Sequence, residues 1–422
     1  MHKITKLDNG LTIITERMPN MHSLSVGFWV KAGGRYEPKE KQGISHFLEH
    51  LLFKGTKKRN YKQLKEAVEG VGGIFNAFTA EENTCYYIKI ISKYFKVAVD
   101  VLADMVLNPL LDEKEINKER NVIVEEIRMY LDLPNQYVHE LLDELLWPNH
   151  PLGRSLLGTF DTVGSIKRHD LAAYKEKYHA PSNVIVAVCG DIEHEMIVNM
   201  LQEYFAKTKK AQATDYKKAA KVQHAPKINC FNKDTEQSHI CLGVHGLNRL
   251  HPGRYAQRIL NVILGGNMSS RLFNEVREKR CLAYEIGSGI KQYIDTGSIY
   301  IHAGVDNHKV SDAVSVIIAE LIKMKEANVR EQELVRAKEY YKGHLLMGLE
   351  DTMSNMLFLG EQAASIGKIT TKDEIIEDMK KVDFDAIKKV ANKLFVNDSL
   401  NLAVIGPQAQ AERDKLQKKF KF

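Results

Sequence analysis

The two halves of this 422-residue chain carry similar helix patterns, and this repetition most constrains the fold. The apolar segment VAVDVLADMV precedes the charged amphipathic segment LDEKEINKERNVIVEEIRM in the first half. In the second half, DAVSVIIAELI precedes VREQELVRAKEYYKGHLLM. This alignment pairs Glu115 with Glu333, an offset of 218 residues. Because similarity at a long fixed offset is typical of duplicated units, we predict two copies of one α+β domain.

The boundary between the copies is predicted from composition. Residues 206–227 are rich in Lys and Ala and poor in large apolar side chains, which is typical of a linker. We predict an N-terminal domain over residues 1–208, a linker over 209–227 and a C-terminal domain over 228–422. Two domains of about 200 residues each are also what the chain length favours.

Local patterns predict several elements of the first copy. Asn9-Gly10 separates KITKLD from LTIITER, which indicates a β-hairpin. Residues 71–91 have the pattern of two strands around a turn, and residues 23–33 and 183–192 are apolar strands. Helical patterns cover residues 60–69, 93–107 and 112–131.

Composition excludes several classes of function. The net charge of +6 arises from 60 basic and 54 acidic residues, without a dense basic stripe, so nucleic-acid binding is not expected. The N-terminus lacks a signal-peptide pattern, and no run of about 18 apolar residues predicts a membrane span. The five cysteines are scattered, which favours reduced thiols in a cytoplasmic protein.

The segment HFLEH, residues 46–50, places three polar side chains in an apolar helical run. Helical spacing puts His46, Glu49 and His50 on one face. Two imidazoles at positions i and i+4 can bind one zinc ion, with the glutamate beside a metal-bound water. A catalytic zinc site also needs a third protein ligand and an open position.

The helix predicted at 112–131 offers that third ligand. Glu119 and Glu126 are seven residues apart and share a face, whereas Glu125 points elsewhere and is expected to face solvent. One of the aligned pair can bind the metal while the other orients a ligand. The alternative for HFLEH is a helix with a partly exposed polar face, and for Glu119 and Glu126 it is a solvated helix face.

With these residues in place, the sequence resembles the pitrilysin-type inverzincin peptidases over nearly the whole chain. It is most similar to the bacterial relatives of the mitochondrial processing peptidase β subunit. GISHFLEHLLFKGT resembles the family's zinc helix, and ERNVIVEEIRMYLDLP the segment with its distal glutamate ligand. The resemblance implies one zinc ion on His46, His50 and Glu126, with Glu49 as general base. Glu119 would be the carboxylate that orients a ligand.

The resemblance extends to two further segments. GGIFNAFTAEENTCYY resembles the edge strand on which these enzymes bind an extended peptide, which implies substrate contacts for Asn76, Ala77 and Glu82. SSRLFNEVREKRCLAYEIGSG resembles the segment that supplies Arg277 and Tyr284 to catalysis. Without the resemblance, these segments would be a simple hairpin, a surface charge and a core tyrosine. Cys281 departs from the pattern, because the family usually has glycine there.

The resemblance also implies the architecture and the assembly. Each duplicated domain should be a mostly antiparallel sheet flanked by helices, the mitochondrial-processing-peptidase-like metallohydrolase fold. The 218-residue offset places Leu264, Met268 and His344 opposite the three ligands, so the second copy should lack metal. Chains of this length resemble half of a clamshell, which implies a homodimer or a heterodimer with a related subunit.

The function expected from the sequence is a zinc metalloendopeptidase that hydrolyses peptides or unfolded segments. Two alternatives remain. The chain could be a non-catalytic structural or partner subunit of the same fold, although its full set of ligand residues argues against that role. It could also be a metal-dependent hydrolase of other substrates, although the predicted edge strand argues for an extended peptide.

Overall fold

A computed structural model describes residues 2–208, 215–220, 223–326, 329–407 and 409–422. The elements of the first half are, in chain order, β1 (His2–Lys6), β2 (Thr12–Arg17), β3 (Ser23–Val30), α1 (Ile44–Leu52), α2 (Tyr61–Glu69), β4 (Ile74–Thr79), β5 (Thr84–Ile91), α3 (Phe95–Leu107), α4 (Glu113–Asp132), α5 (Pro134–Leu146), α6 (Phe160–Ser165), α7 (Arg168–Tyr178), β6 (Val184–Gly190) and α8 (His194–Phe205). Those of the second half are β7 (Lys227–Asn232), β8 (Ser238–His245), α9 (Arg254–Leu264), β9 (Ala283–Gln292), β10 (Gly297–Val305), α10 (Val310–Glu326), α11 (Glu331–Gly348), α12 (Thr352–Ile366), α13 (Lys372–Lys380), α14 (Phe384–Leu394), β11 (Asn401–Gly406) and α15 (Ala409–Lys419).

The described residues form two sheets with matching strand orders. The first sheet has the order β1-β2-β6-β3-β5-β4, and the second has the order β7-β11-β8-β10-β9. In both sheets one pair is parallel, β2 with β6 and β7 with β11, and the other pairs are antiparallel. The predicted α+β fold with two duplicated, mostly antiparallel domains is therefore confirmed.

The chain forms two compact units, and neither is continuous in sequence. Unit 1 comprises Met1–Met129, Arg154–Lys217 and Met347–Ile369. Unit 2 comprises Tyr130–Gly153, Lys218–Leu346 and Thr370–Phe422. Each half thus contributes one segment to the unit built mainly from the other half. The predicted sequence domains, 1–208 and 228–422, describe the two copies and stay a prediction.

Apolar packing explains this exchange of segments. In unit 1, Met356 and Leu359 of α12 lie in one buried cluster with Trp29 of β3 and Ala187 of β6. Helix α5 packs in the same way in unit 2, where its Leu141 and Leu142 share a buried cluster with residues of β8 and β11. Both helices follow long amphipathic helices after short breaks.

The local predictions hold with small changes at the boundaries. The hairpin at Asn9-Gly10 is the antiparallel pair β1–β2, and the two strands predicted at 71–91 are β4 and β5. The single offset of 218 does not hold throughout. It relates Glu113 of α4 to Glu331 of α11, but Ser23 of β3 corresponds to Ser238 of β8, which is 215 residues on.

Because the offset between the copies changes, the residues predicted to correspond to His46 and His50 are wrong. Helix α9 is the element of the second copy that follows β8, as α1 follows β3 in the first. Leu264 is the last residue of α9 and Met268 lies beyond it, so these two residues are not the counterparts of His46 and His50.

Three other expectations concern the linker, the thiols and the membrane. Residues 209–214 and 221–222 of the predicted linker lie outside the described residues, and 215–220 have no helix or strand. All five cysteines are free thiols, four of them buried and Cys281 exposed. Over the described part of the chain, no helix combines the length and apolar character that crossing a membrane requires.

Candidate metal centre

Helix α1 carries the HFLEH segment, and the amphipathic pattern of the helix determines which of its faces is buried. Phe47, Leu48, Leu51 and Leu52 are buried in unit 1, which leaves His46, Glu49 and His50 on the other face. The helix begins after Gly43, whose φ of 89° is in the left-handed region. A Cβ atom at this position would lie 2.7 Å from the carbonyl oxygen of Leu157, so the turn requires glycine.

Three ligand atoms of unit 1 converge. The Nε2 atoms of His46 and His50 are 3.2 Å apart. Oε2 of Glu126, from α4, lies 3.7 Å from the first and 3.6 Å from the second. Among the described residues these three form a group whose ligand atoms all lie within 4.8 Å of one another.

The separations of these ligand atoms fit a cation with tetrahedral coordination. Ligand atoms about 2.1 Å from a tetrahedral zinc ion are about 3.4 Å apart, close to the three observed separations. Within the described residues, buried Oε2 of Glu126 accepts no hydrogen bond. Burial, followed by the nearby charge of His50, lowers the pKa of His46 to about 3, so its imidazole is neutral and can donate a lone pair.

Glu119 determines which nitrogen of His50 faces the cluster. Oε2 of Glu119 lies 3.1 Å from Nδ1 of His50, and its Oε1 accepts from Nζ of Lys54 at 2.6 Å. Because a carboxylate can only accept, Nδ1 of His50 carries the proton and Nε2 presents its lone pair to the other ligands. A carboxylate behind a ligating imidazole is a common feature of metal sites.

Glu49 lies on the same face of α1 but outside the ligand group. Its Oε2 accepts from the hydroxyl of Thr79, on β4, at 2.5 Å. Burial raises the pKa of Glu49, and the hydrogen bond from Thr79 acts in the opposite direction. A raised pKa brings a carboxylate closer to the range in which it exchanges protons near neutral pH.

Glu125 lies apart from this cluster, as the helical spacing predicts. Its side chain is 68% exposed and pairs with Arg128 on the same helix. Glu119 is buried and Glu126 only half-exposed, because both lie on the face of α4 that is turned toward α1. The prediction that Glu125 faces solvent is confirmed.

Strand β4 lies at one end of the first sheet and carries Asn76 and Ala77. These residues pair with Tyr87 and Tyr86 of β5, the neighbour of β4 in the sheet. Glu82 is in the turn after β4 and is buried, and its Oε1 accepts from Nη1 of Arg35 at 2.6 Å. Substrate contacts by the three residues predicted here stay a prediction.

Arg277 and Tyr284 lie together in unit 2. Arg277 belongs to a π-helical turn, Phe273–Glu278, and its guanidinium carbon is 5.3 Å from the ring centre of Tyr284. Tyr284 is 76% exposed rather than a core residue, and both line a pocket of about 550 Å³. Cys281, between them, has a φ of 50°, which is in the left-handed region that favours glycine.

Two family models match most of the chain. Residues 12–160 match the family described as Insulinase (Peptidase family M16), and residues 165–341 match the Peptidase M16 inactive domain. A Bacillus subtilis protein named uncharacterized zinc protease YmxG is 38% identical over 399 residues, which are 94% of this chain and 97% of that protein. The chain belongs to peptidase family M16. The predicted resemblance to pitrilysin-type peptidases is thereby confirmed.

Other M16 relatives and solved structures cover the chain equally well. A protein of Streptomyces coelicolor named as an uncharacterized zinc protease is 35% identical over 98% of this chain and 91% of its own length. The crystal structure of a Helicobacter pylori protease superposes with a TM-score of 0.92 at 25% identity, covering 96% of this chain and 99% of that one. A Pseudomonas fluorescens structure titled peptidase M16 inactive domain shows the same fold, with a TM-score of 0.88 at 18% identity and coverage of 96% and 98%.

Two residues that contact this cluster were not among those predicted from the sequence. Lys54 is four residues after His50, so helical spacing could have indicated its approach to Glu119. Thr79 is 30 residues from Glu49, and no local pattern connects them. Only the packing of β4 against α1 brings this hydroxyl to the carboxylate.

Proposed function

We propose that this M16 protein is a zinc metalloendopeptidase that cleaves peptides or unfolded segments bound in extended form. The observation that carries the proposal is the convergence of His46, His50 and Glu126 at separations of 3.2–3.7 Å. Those residues would hold one zinc ion per chain. The zinc protease names of the relatives agree with this choice of metal.

The chemistry divides between the ion and the protein. Bound zinc would supply Lewis-acid chemistry, by which water is activated and a peptide carbonyl is polarised. Glu49 acts as the general base: its carboxylate takes a proton from the attacking water and gives it to the leaving amine. Thr79 orients that carboxylate through the hydrogen bond to Oε2. Glu119 keeps the proton of His50 on Nδ1.

Strand β4 supports an extended peptide as the substrate. It ends the sheet, and its last residue, Thr79, contacts Glu49. A peptide that pairs with the outer edge of β4 would pass Asn76 and Ala77 on its way to the cluster. Main-chain hydrogen bonds would then provide most of the affinity, so many sequences could bind.

The family resemblance also implies catalytic roles for Arg277 and Tyr284. The guanidinium would hold a carbonyl or carboxylate of the peptide, and the exposed tyrosine hydroxyl would stabilise a developing oxyanion. We further propose that the protein works as a homodimer, with a heterodimer of related subunits as the alternative. Sedimentation of the purified chain distinguishes these assemblies.

The decisive experiment is peptide cleavage by wild type and Glu49→Gln. Both proteins are assayed with a quenched-fluorescent basic peptide library after their zinc content has been measured. Glu125→Gln is the matched control, because it makes the same change on an exposed side chain. We expect Glu49→Gln to retain zinc and lose at least about 100-fold in rate, the effect typical of a missing general base.

Each other result points to a different conclusion. Equal cleavage by wild type and Glu49→Gln would place the activity at another site or in a contaminant. If wild type holds zinc but cleaves nothing, a non-catalytic partner subunit becomes the better assignment. A wild-type chain without zinc would refute the metal site itself.

A further inference from the structure

Helix α1 begins without a cap from its own N-terminal residue. Gly43 has no side chain that could accept a hydrogen bond from the first turn, so the N–H groups that lack a partner within the helix need another acceptor. Glu37 provides it from six residues upstream. Its Oε2 accepts from the backbone N–H of Gly43 at 2.7 Å, and its Oε1 accepts from the N–H of Ser45 at 2.8 Å.

The capping carboxylate is deeply buried. Glu37 is 4% exposed, so loss of these hydrogen bonds could not be compensated by bulk water. The hydroxyl of Ser45 lies 2.7 Å from that of Tyr174, which ties the same turn of α1 to α7. A negative charge at this position also interacts favourably with the helix N-terminus.

The segment that carries Glu37 is itself firmly held. The backbone N–H of Arg35 donates to the carbonyl of Glu81 at 2.8 Å, and the guanidinium of Arg35 pairs with Glu82. The hydroxyl of Tyr178, on α7, donates to the carbonyl of Tyr36 at 3.1 Å. The cap therefore connects α1 to the β4–β5 turn and to α7.

This connection matters because the ligands come from different elements. His46 and His50 move with α1, whereas Glu126 is fixed to α4 and Thr79 to β4. A small rotation or fraying of the first turn of α1 would change the separations of the three ligand atoms and the contact of Glu49 with Thr79. Metal sites tolerate only small departures from their ligand distances.

We propose that Glu37 is a positioning residue of the metal site, which holds α1 in the orientation that lets His46 and His50 share one ion with Glu126. The inference rests on the proposed function, because it assigns to Glu37 the alignment of that same site. Glu37 is not one of the three ligand residues, and it acts through the backbone of Gly43 and Ser45.

The protonation state of Glu37 adds a second observable. Burial raises the pKa of Glu37 to about 7, opposed by the hydrogen bonds from Ser45 and Gly43 and by the charge of Arg154. Tyr174 faces it from α7, and Glu40 acts on Arg154. A protonated carboxyl accepts hydrogen bonds more weakly, so zinc affinity should fall more steeply below pH 7 in wild type than in Glu37→Gln.

The test measures zinc affinity of the full chain by competition with a chromogenic chelator. Glu37→Gln removes the charge, Glu37→Asp keeps the charge but shortens its reach, and Glu40→Gln is the control on an exposed neighbour. We expect both Glu37 variants to bind zinc about tenfold or more weakly, as for other groups that orient metal ligands. At saturating zinc, kcat should fall while KM stays unchanged, because β4 is intact.

The possible results separate the inference from the function on which it rests. Folded Glu37 variants that bind zinc like Glu40→Gln overturn the inference and leave the metallopeptidase in place. Failure of both Glu37 variants to fold also overturns it, because Glu37 would then be a general requirement for folding. If wild type binds no zinc at the three ligands, the proposed function fails and the inference fails with it.

Discussion

Replacing Glu119 by Ala should weaken zinc binding, although all three ligand residues remain. Glu119 lies behind His50, with its Oε2 3.1 Å from Nδ1 and its Oε1 2.6 Å from Nζ of Lys54. The substitution removes the acceptor that keeps the proton on Nδ1. The imidazole of His50 is then free to rotate or to carry its proton on Nε2, the atom that faces Glu126.

The size of the effect follows from that single hydrogen bond. A hydrogen bond to a buried charged group contributes about 1.5–3 kcal/mol, which corresponds to roughly 10- to 100-fold in an equilibrium constant. Measured losses of metal affinity for such carboxylates fall in the same range of about 10- to 100-fold. Glu119→Gln keeps an acceptor oxygen for His50 but no longer neutralises Lys54. We therefore expect this variant to bind zinc about tenfold more weakly than wild type.

The assay is zinc competition at pH 8, with the melting temperature of the metal-free protein as a check on folding. Glu125→Gln is the control, since Glu125 lies on the same helix with its side chain 68% exposed. Zinc binding by Glu119→Ala as tight as that of the control would refute the argument. It would mean that the protein does not need Glu119 to set the tautomer of His50.

Two further predictions concern stability. Cys281→Gly should raise the free energy of unfolding by about 1 kcal/mol, because a left-handed φ of 50° costs a non-glycine residue about 1–2 kcal/mol, partly offset by the greater freedom of glycine in the unfolded chain. Urea unfolding measures this change, and Cys281→Ala should give no such gain. Burial, helped by the charge of Lys175, lowers the pKa of His179 to about 3 from an ordinary value of 6.5. The His179 side chain therefore stays neutral in the folded state but takes up a proton in the unfolded state. The free energy of unfolding consequently decreases as pH falls below 6.5. Between pH 7 and 5 the loss should be about 2 kcal/mol larger in wild type than in His179→Gln. His169→Gln, with a side chain 76% exposed, should behave like wild type, and an equal loss in all three proteins would contradict the prediction.

Much of the candidate site could be predicted because its spacing is local. Positions 46, 49 and 50 share a face in any α-helix, and so do positions 119 and 126. The apolar residues around HFLEH also indicate which face is buried. The assignment of Glu126 rather than Glu119 as the distal ligand came from the family resemblance, because helical spacing alone treats the two residues alike.

Contacts that depend on packing between distant segments could not be predicted from the sequence. Thr79 reaches Glu49 because β4 packs beside α1. Glu37 is only six residues from Gly43, but its contact with the start of α1 depends on how the intervening loop folds. No sequence period or motif marks either contact. The same limit affected the second copy, where small differences in loop length changed the offset from 218 to 215 residues.

The sequence by itself determined the duplication, the main helices and strands, and the polar face of α1, because each of these follows from periodicity within a short window. Only the tertiary structure decided that α5 and α12 are exchanged between the two units, since either helix has an apolar face that could cover either sheet. It also decided how His46, His50 and Glu126 approach one another. Their convergence depends on the angle between α1 and α4, and that angle results from the packing of all the buried side chains around the two helices.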